Sequence, residues 1–203
     1  MSLEAISLKP TNSNTPDHLL IMLHGWGANA EDLAPLASML SLPKYQFIFP
    51  NAPFPHPQVP GGLAWYELET EEHKGLSESR ELLTNWLLSL EEITKIPLSR
   101  TILSGFSQGG AMSLDVGLNL PLAGICSLSG YLHFQPQNLA SSLPPILIIH
   151  GKQDFVVPIE MARQAKEKLI SINAQVEYHE FNMGHEIPAN ILPIVEQFIK
   201  TKN

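Results

Sequence analysis

Thr101-Ile102-Leu103-Ser104-Gly105-Phe106-Ser107-Gln108-Gly109-Gly110-Ala111-Met112 decides the reading of this chain. A β-rich run enters this stretch and a helix-forming run leaves it. Between them lies G-x-S-x-G, as Gly105-Phe106-Ser107-Gln108-Gly109. That pattern sets a serine on a strained strand-to-helix turn with its hydroxyl exposed. Both glycines have a steric task, since a side chain at either position would collide with backbone in so tight a bend. The pentapeptide alone arises often by chance. Here its context is also present, because Ala111, Met112, Leu114, Val116 and Leu118 follow it and are apolar nearly all round.

Outward from this turn, short apolar runs alternate with amphipathic ones. Strands are predicted over 19–23, 46–49, 101–105, 124–129 and 146–150. Helices are predicted over 30–40, with Leu33, Leu36, Ala37 and Leu40 on one face, and over 108–120. Leu82, Leu83, Trp86, Leu87, Leu90 and Ile93 form one helical stripe, and Ala162, Ala165, Leu169 and Ile172 another. Val176 and Tyr178 alternate with Glu177 and His179, as in an edge strand. Pro193 places the start of a last helix near Asn190, because proline suits only a first turn. Residues 50–75 are rich in proline and glycine and too long for a mere connector, which marks a functional loop. Strands alternating with helices imply an α/β fold, a mostly parallel central sheet with helices on both faces. Sites in such sheets form beyond the carboxyl ends of the strands.

A chain of 203 residues without a dividing linker is expected to form one domain, 1–203. Its 44% hydrophobic and 16% charged content fits a packed core rather than disorder. A net charge of -8 with no basic run excludes nucleic acid as an expected partner. No apolar stretch is long enough to span a bilayer, so no integral membrane association is expected. Met1-Ser2-Leu3-Glu4-Ala5 lacks the charged and apolar regions of a signal peptide. With one cysteine, Cys126, no intramolecular disulfide can form, and a cytoplasmic location is the expectation. Cys126 lies in an apolar strand and reads as a core residue, not a nucleophile. The oligomeric state stays open between a monomer and a weak dimer.

A serine hydroxyl needs a base to take its proton, and the base needs a carboxylate to hold its tautomer. On this architecture the order is Ser, then Asp or Glu, then His. Asp154 follows the strand 146–150 by the short turn Gly151-Lys152-Gln153. Asp115 lies mid-helix, and Glu160 and Glu167 lie on a helix with its apolar face elsewhere. His185 sits in Asn182-Met183-Gly184-His185-Glu186, after the last strand, where Gly184 is expected to let backbone approach closely. His133 falls in a polar loop, His179 in a strand alternation, and His150 precedes Asp154, so each reads as structural. Acyl transfer also needs donors for the developing oxyanion. The N–H of Gln108, next after the serine, is one. The other is expected from Leu23-His24-Gly25-Trp26-Gly27-Ala28, where glycines on both sides of Trp26 let its N–H turn inward. His24 then stabilises the loop.

These motifs resemble those of the phospholipase/carboxylesterase branch of the α/β-hydrolases, which includes the acyl-protein thioesterases. The resemblance runs from Leu19 to Phe198. It is carried by Leu23-His24-Gly25-Trp26-Gly27, Gly105-Phe106-Ser107-Gln108-Gly109-Gly110, His150-Gly151 with Asp154-Phe155-Val156-Val157-Pro158, and Gly184-His185. It implies the α/β-hydrolase fold, Ser107, Asp154 and His185 as catalytic residues, and Trp26 and Gln108 as the oxyanion hole. It also implies that no metal or organic cofactor is used. Such proteins commonly carry leucine at the position of Trp26, aspartate at that of Ala28 and aspartate at that of Glu67.

The expected activity is a serine carboxylic-ester hydrolase acting on short- to medium-chain acyl esters or thioesters. Leu63, Trp65, Phe155 and Val156 are the candidates for apolar substrate-binding walls, though Trp65 serves equally well as a fold anchor. Lysophospholipase or protein-depalmitoylating thioesterase chemistry fits the same residues, as does a peptidase, lactone hydrolase or acyltransferase. A non-catalytic module binding an apolar ligand is the rival from another class.

Overall fold

The computed structural model describes residues 3–10, 15–68, 72–133 and 142–202. In chain order the elements begin with β1 (Ala5–Leu8), β2 (His18–Leu23), α1 (Ala30–Leu33), α2 (Leu36–Met39) and β3 (Tyr45–Pro50). Next come β4 (Phe54–Pro55), β5 (Leu63–Ala64), α3 (Leu76–Thr94), β6 (Thr101–Phe106) and α4 (Gln108–Gly117). The chain closes with β7 (Gly124–Leu128), β8 (Ile146–Gly151), α5 (Ile159–Ser171), β9 (Val176–Phe181) and α6 (Leu192–Lys200).

The main sheet runs β1-β3-β2-β6-β7-β8-β9. Every pairing in it is parallel except β1 with β3. The middle strands are unbroken apolar runs because helices cover both faces. Every residue of β2, β7 and β8 is buried. Side chains alternate across the sheet. Leu19, Ile21 and Leu23 pack with Leu83, Leu87 and Leu169 on one face. Leu20 and Met22 pack with Leu33, Val195 and Phe198 on the other. Cys126 is fully buried in the second layer, where burial pushes its thiol far above the ordinary range.

Several expectations need correction. The helix predicted over 30–40 is two single turns, with Pro35 between them. Proline offers no N–H to the carbonyl four residues back, so the helix cannot run through. Its apolar face survives, with Leu33, Leu36 and Leu40 buried. Ile93 is 71% exposed and leaves the α3 stripe in the last turn. Lys95, at φ 62°, ends that helix. α4 stops at Gly117 rather than Leu120, and α6 starts at Leu192 after a 3₁₀ turn. β1 and the small β4–β5 ribbon were not predicted. The ribbon lies inside the loop expected over 50–75. Among the described residues no helix is long and apolar enough to cross a membrane.

Candidate active site

Ser107 stands between β6 and α4 with φ 55° and ψ -120°. A non-glycine residue there is strained and holds only where its surroundings over-determine it. They do. A Cβ on Gly105 would lie 2.1 Å from the Gly109 carbonyl oxygen, and one on Gly109 would lie 2.2 Å from that of Leu23. The Ser107 N–H donates to the Leu128 carbonyl at 2.8 Å, which ties the turn to β7.

The histidine and acid arrive from the ends of β9 and β8. His185 Nε2 lies 2.8 Å from Ser107 Oγ, and His185 Nδ1 lies 2.7 Å from Asp154 Oδ2. Because a carboxylate can only accept, Nδ1 carries the proton and Nε2 is free to accept from the serine. Asp154 Oδ1 accepts the Val156 and Val157 N–H groups at 2.9 and 2.8 Å. The carboxylate is thus clamped by its own turn. Fully buried His150, whose Nε2 lies 2.8 Å from the Val157 carbonyl, holds that turn from beneath. Burial draws the His150 pKa down, so the ring is neutral. The close approach expected at Gly184 occurs at Gly151 instead. A Cβ there would lie 2.4 Å from the Met183 carbonyl oxygen, whereas at Gly184 the nearest atom is 3.7 Å away.

The loop after β2 rises beside the serine, and a Cβ on Gly25 would lie 3.3 Å from that of Ser107. Buried His24 shapes the loop. Its Nδ1 donates to the Gly25 carbonyl at 2.8 Å and its Nε2 accepts the Ala52 N–H at 3.0 Å. Gly27, at φ 81°, takes a conformation L side chains rarely adopt. Its N–H donates to the Leu63 carbonyl, and the Leu63 N–H donates to that of Ala28. Among the described residues, neither the Trp26 N–H nor the Gln108 N–H finds a backbone acceptor. Gln108 opens α4, where such N–H groups have no partner within the helix.

Residues 10–203 match the sequence pattern described as Phospholipase/Carboxylesterase. Acyl-protein thioesterase 1 of Saccharomyces cerevisiae is 30% identical over 208 aligned residues, covering 89% of this chain and 91% of its own. The crystal structure of esterase PE8 superposes with a TM-score of 0.92 at 31% identity, covering 100% of each chain. The Bacillus cereus carboxylesterase shares the fold, with a TM-score of 0.84 at 18% identity over 99% of this chain and 95% of its own. The chain belongs to the phospholipase/carboxylesterase family. Its fold is the α/β-hydrolase fold, and it is an enzyme of the serine-hydrolase kind.

In this family member a cavity of about 410 Å³ opens over Ser107 and His185. Of the walls predicted from sequence, Val156 lines it. Phe155 is 95% exposed and stands outside it, carried outward by the same turn that points Asp154 inward. Trp65 is a fold anchor. It is fully buried in the core and its Nε1 donates to the His24 carbonyl at 3.0 Å. Leu63 packs against that core and serves the loop through its backbone. The cavity walls missed from sequence include Leu68, Tyr131, Leu132, Val157 and Met161.

Behind Tyr131 lies a partly buried polar network. The Tyr131 and Tyr66 hydroxyls are 2.6 Å apart, and His133 Nε2 bonds Tyr66. His133 Nδ1 faces Asp115 at 3.5 Å, and Arg80 Nε donates to Asp115 at 2.6 Å. Burial raises the Asp115 pKa, but His133 and Arg80 outweigh that, and the carboxyl sits below its ordinary value. Burial lowers the His133 pKa. The Gln108 side chain, also unforeseen, ties α4 to the segment before α3. Its Oε1 accepts the Trp65 N–H at 2.9 Å and its Nε2 donates to the Tyr66 carbonyl at 2.8 Å. No group of three or more His, Cys, Asp or Glu side chains among the described residues is placed to hold a metal ion.

Proposed function

We propose that this protein hydrolyses short- to medium-chain acyl esters through Ser107, His185 and Asp154. The observation that carries the reading is the run of two short bonds from the Asp154 carboxylate through His185 to the Ser107 hydroxyl. In the first step Ser107 Oγ bonds to the carbonyl carbon while His185 Nε2 takes its proton. The Trp26 and Gln108 N–H groups receive the oxyanion, and removing one such donor costs about 10²–10³ in rate. Asp154 stays ionised and supports the imidazolium. The carbon–oxygen bond then breaks, and His185 gives its proton to the leaving alcohol. Water attacks the acyl-serine by the same route, releasing the acid and restoring Ser107. Val156, Leu68 and Met161 supply an apolar surface for the acyl chain.

A thioester enters the same scheme with a thiol leaving group. The 30% identity to a yeast acyl-protein thioesterase favours this as the second reading. Ser107→Ala is expected to lower turnover of an aryl ester by about 10⁴-fold or more while leaving the fold intact. Fluorophosphonate labelling should reach Ser107 in the intact protein alone. Undiminished turnover in the alanine variant rejects the assignment. Matched butanoyl esters and thioesters separate the two readings.

A further inference from the structure

Trp26 lines two cavities. One is the cavity over Ser107, and the other, of about 340 Å³, is walled by Phe54, Pro55, Ala64 and Tyr66, with the charged Glu67, Lys74 and Glu78 also in its lining. Among the described residues that line them, only Trp26 belongs to both. Its backbone is pinned on the C-terminal side by the paired bonds of Gly27 and Ala28 to Leu63. Its indole packs on His56, with ring centroids 4.2 Å apart and planes at 57°. His56 is itself fixed, since its Nδ1 accepts the Gln58 and Val59 N–H groups at 3.1 and 2.9 Å. The indole Nε1 is buried and, among the described residues, has no hydrogen-bond partner. A buried donor without an acceptor is a cost that an aliphatic side chain would not carry. What the indole contributes here is area and rigidity, the properties of a wall.

We propose that Trp26 is the specificity-determining residue of this enzyme, a partition that closes the acyl site at Ser107 off from the second cavity. The inference rests on the ester-hydrolase reading. The intact protein accepts acyl chains short enough to end against the indole. The second cavity stays unused until the ring is removed, and its apolar side, Phe54, Pro55 and Ala64, then takes the distal methylenes of a longer chain.

The test is an acyl series of 4-nitrophenyl esters from acetyl to dodecanoyl, measured as kcat and KM on the full chain. The leaving group is constant, so the series reports the acyl side alone. For the intact protein, kcat/KM should fall about ten-fold or more from butanoyl to decanoyl. In Trp26→Ala and Trp26→Leu the ratio of decanoyl to butanoyl kcat/KM should rise about ten-fold, mainly through KM. Exposed Glu78 lines the second cavity from the first turn of α3 and takes no part in the chemistry. Glu78→Phe, which fills that cavity, should leave the intact profile unchanged and cancel the gain in Trp26→Ala. Should Trp26→Ala fail to fold, Trp26→Leu carries the same comparison, with fluorophosphonate labelling of Ser107 reporting its integrity. A profile shared by the intact and Trp26 variants overturns the partition, as does a gain that survives Glu78→Phe. Failure of the intact protein to hydrolyse any ester instead counts against the hydrolase reading itself.

Discussion

Ser107 is held at φ 55° by neighbours that leave no other room. Strain of this kind costs about 1–3 kcal/mol and persists only where packing enforces it. The enforcing contact is local, since a methyl on Gly105 would sit 2.1 Å from the Gly109 carbonyl oxygen. Gly105→Ala is therefore expected to destabilise the fold by about 3 kcal/mol or more, read as a shift in the urea midpoint. A midpoint unchanged within error would show that the turn can relax. The convergence of Ser107, Asp154 and His185 was legible because motif and chain order constrain each other. The Arg80–Asp115–His133–Tyr66–Tyr131 network was not. Its members come from α3, α4 and two connecting segments, with no periodicity linking them, and Asp115 alone reads as an ordinary helix residue. Trp65 stayed open between wall and anchor, because an aromatic near a site looks the same in sequence whether it lines a cavity or fills a core.

The elements that present the site are joined by one amide side chain. Gln108 begins α4 and reaches across to the backbone of Trp65 and Tyr66. Gln108→Leu keeps the backbone N–H but leaves the Trp65 N–H and Tyr66 carbonyl without their partner. Each buried group so stranded costs about 1–3 kcal/mol. The variant should lose about 2–6 kcal/mol in chemical denaturation and turn over esters more slowly, because the loop bearing Trp26 rests on this segment through Leu63. Full stability in that variant would mean that water replaces the amide. The central strands were readable because each is a buried apolar run bounded by turn residues. The β4–β5 ribbon, with two residues to a strand, is shorter than any alternation can reveal. The break between α1 and α2 was readable in principle, since Pro35 stands inside the predicted helix. The amphipathic spacing of Leu33, Leu36 and Leu40 runs across the break and conceals it.

Across the whole molecule three imidazoles are committed to neutrality. Burial is the main reason that His24, His133 and His150 fall below the ordinary value of 6.5. Below that pH the unfolded chain binds protons that the folded chain refuses, so stability falls as the solution is acidified. The loss begins near 6.5 and continues down to the folded-state values, at up to about 1.4 kcal/mol per pH unit for each ring. Asp115, held below its ordinary value by His133 and Arg80, adds a loss of the same sign at more acid pH. Urea unfolding across the range from neutral to mildly acid pH should show this slope, and His133→Gln should flatten it. A flat stability profile would mean that the rings take up protons as readily folded as unfolded. Of the architecture, the parallel sheet covered on both faces was legible from alternation. The antiparallel β1 was not, since Ala5–Leu8 is short and largely exposed, with no clear apolar periodicity.

Phe155 gives the site a practical handle. Its ring is 95% exposed, yet it follows directly on Asp154, whose carboxylate is fixed by three hydrogen bonds. Rigid backbone and an unencumbered side chain rarely meet so close to a reacting centre. A dye, spin label or surface tether attached at position 155 inherits the immobility of its neighbour. It would report events at the mouth of the enzyme without asking the interior to make room.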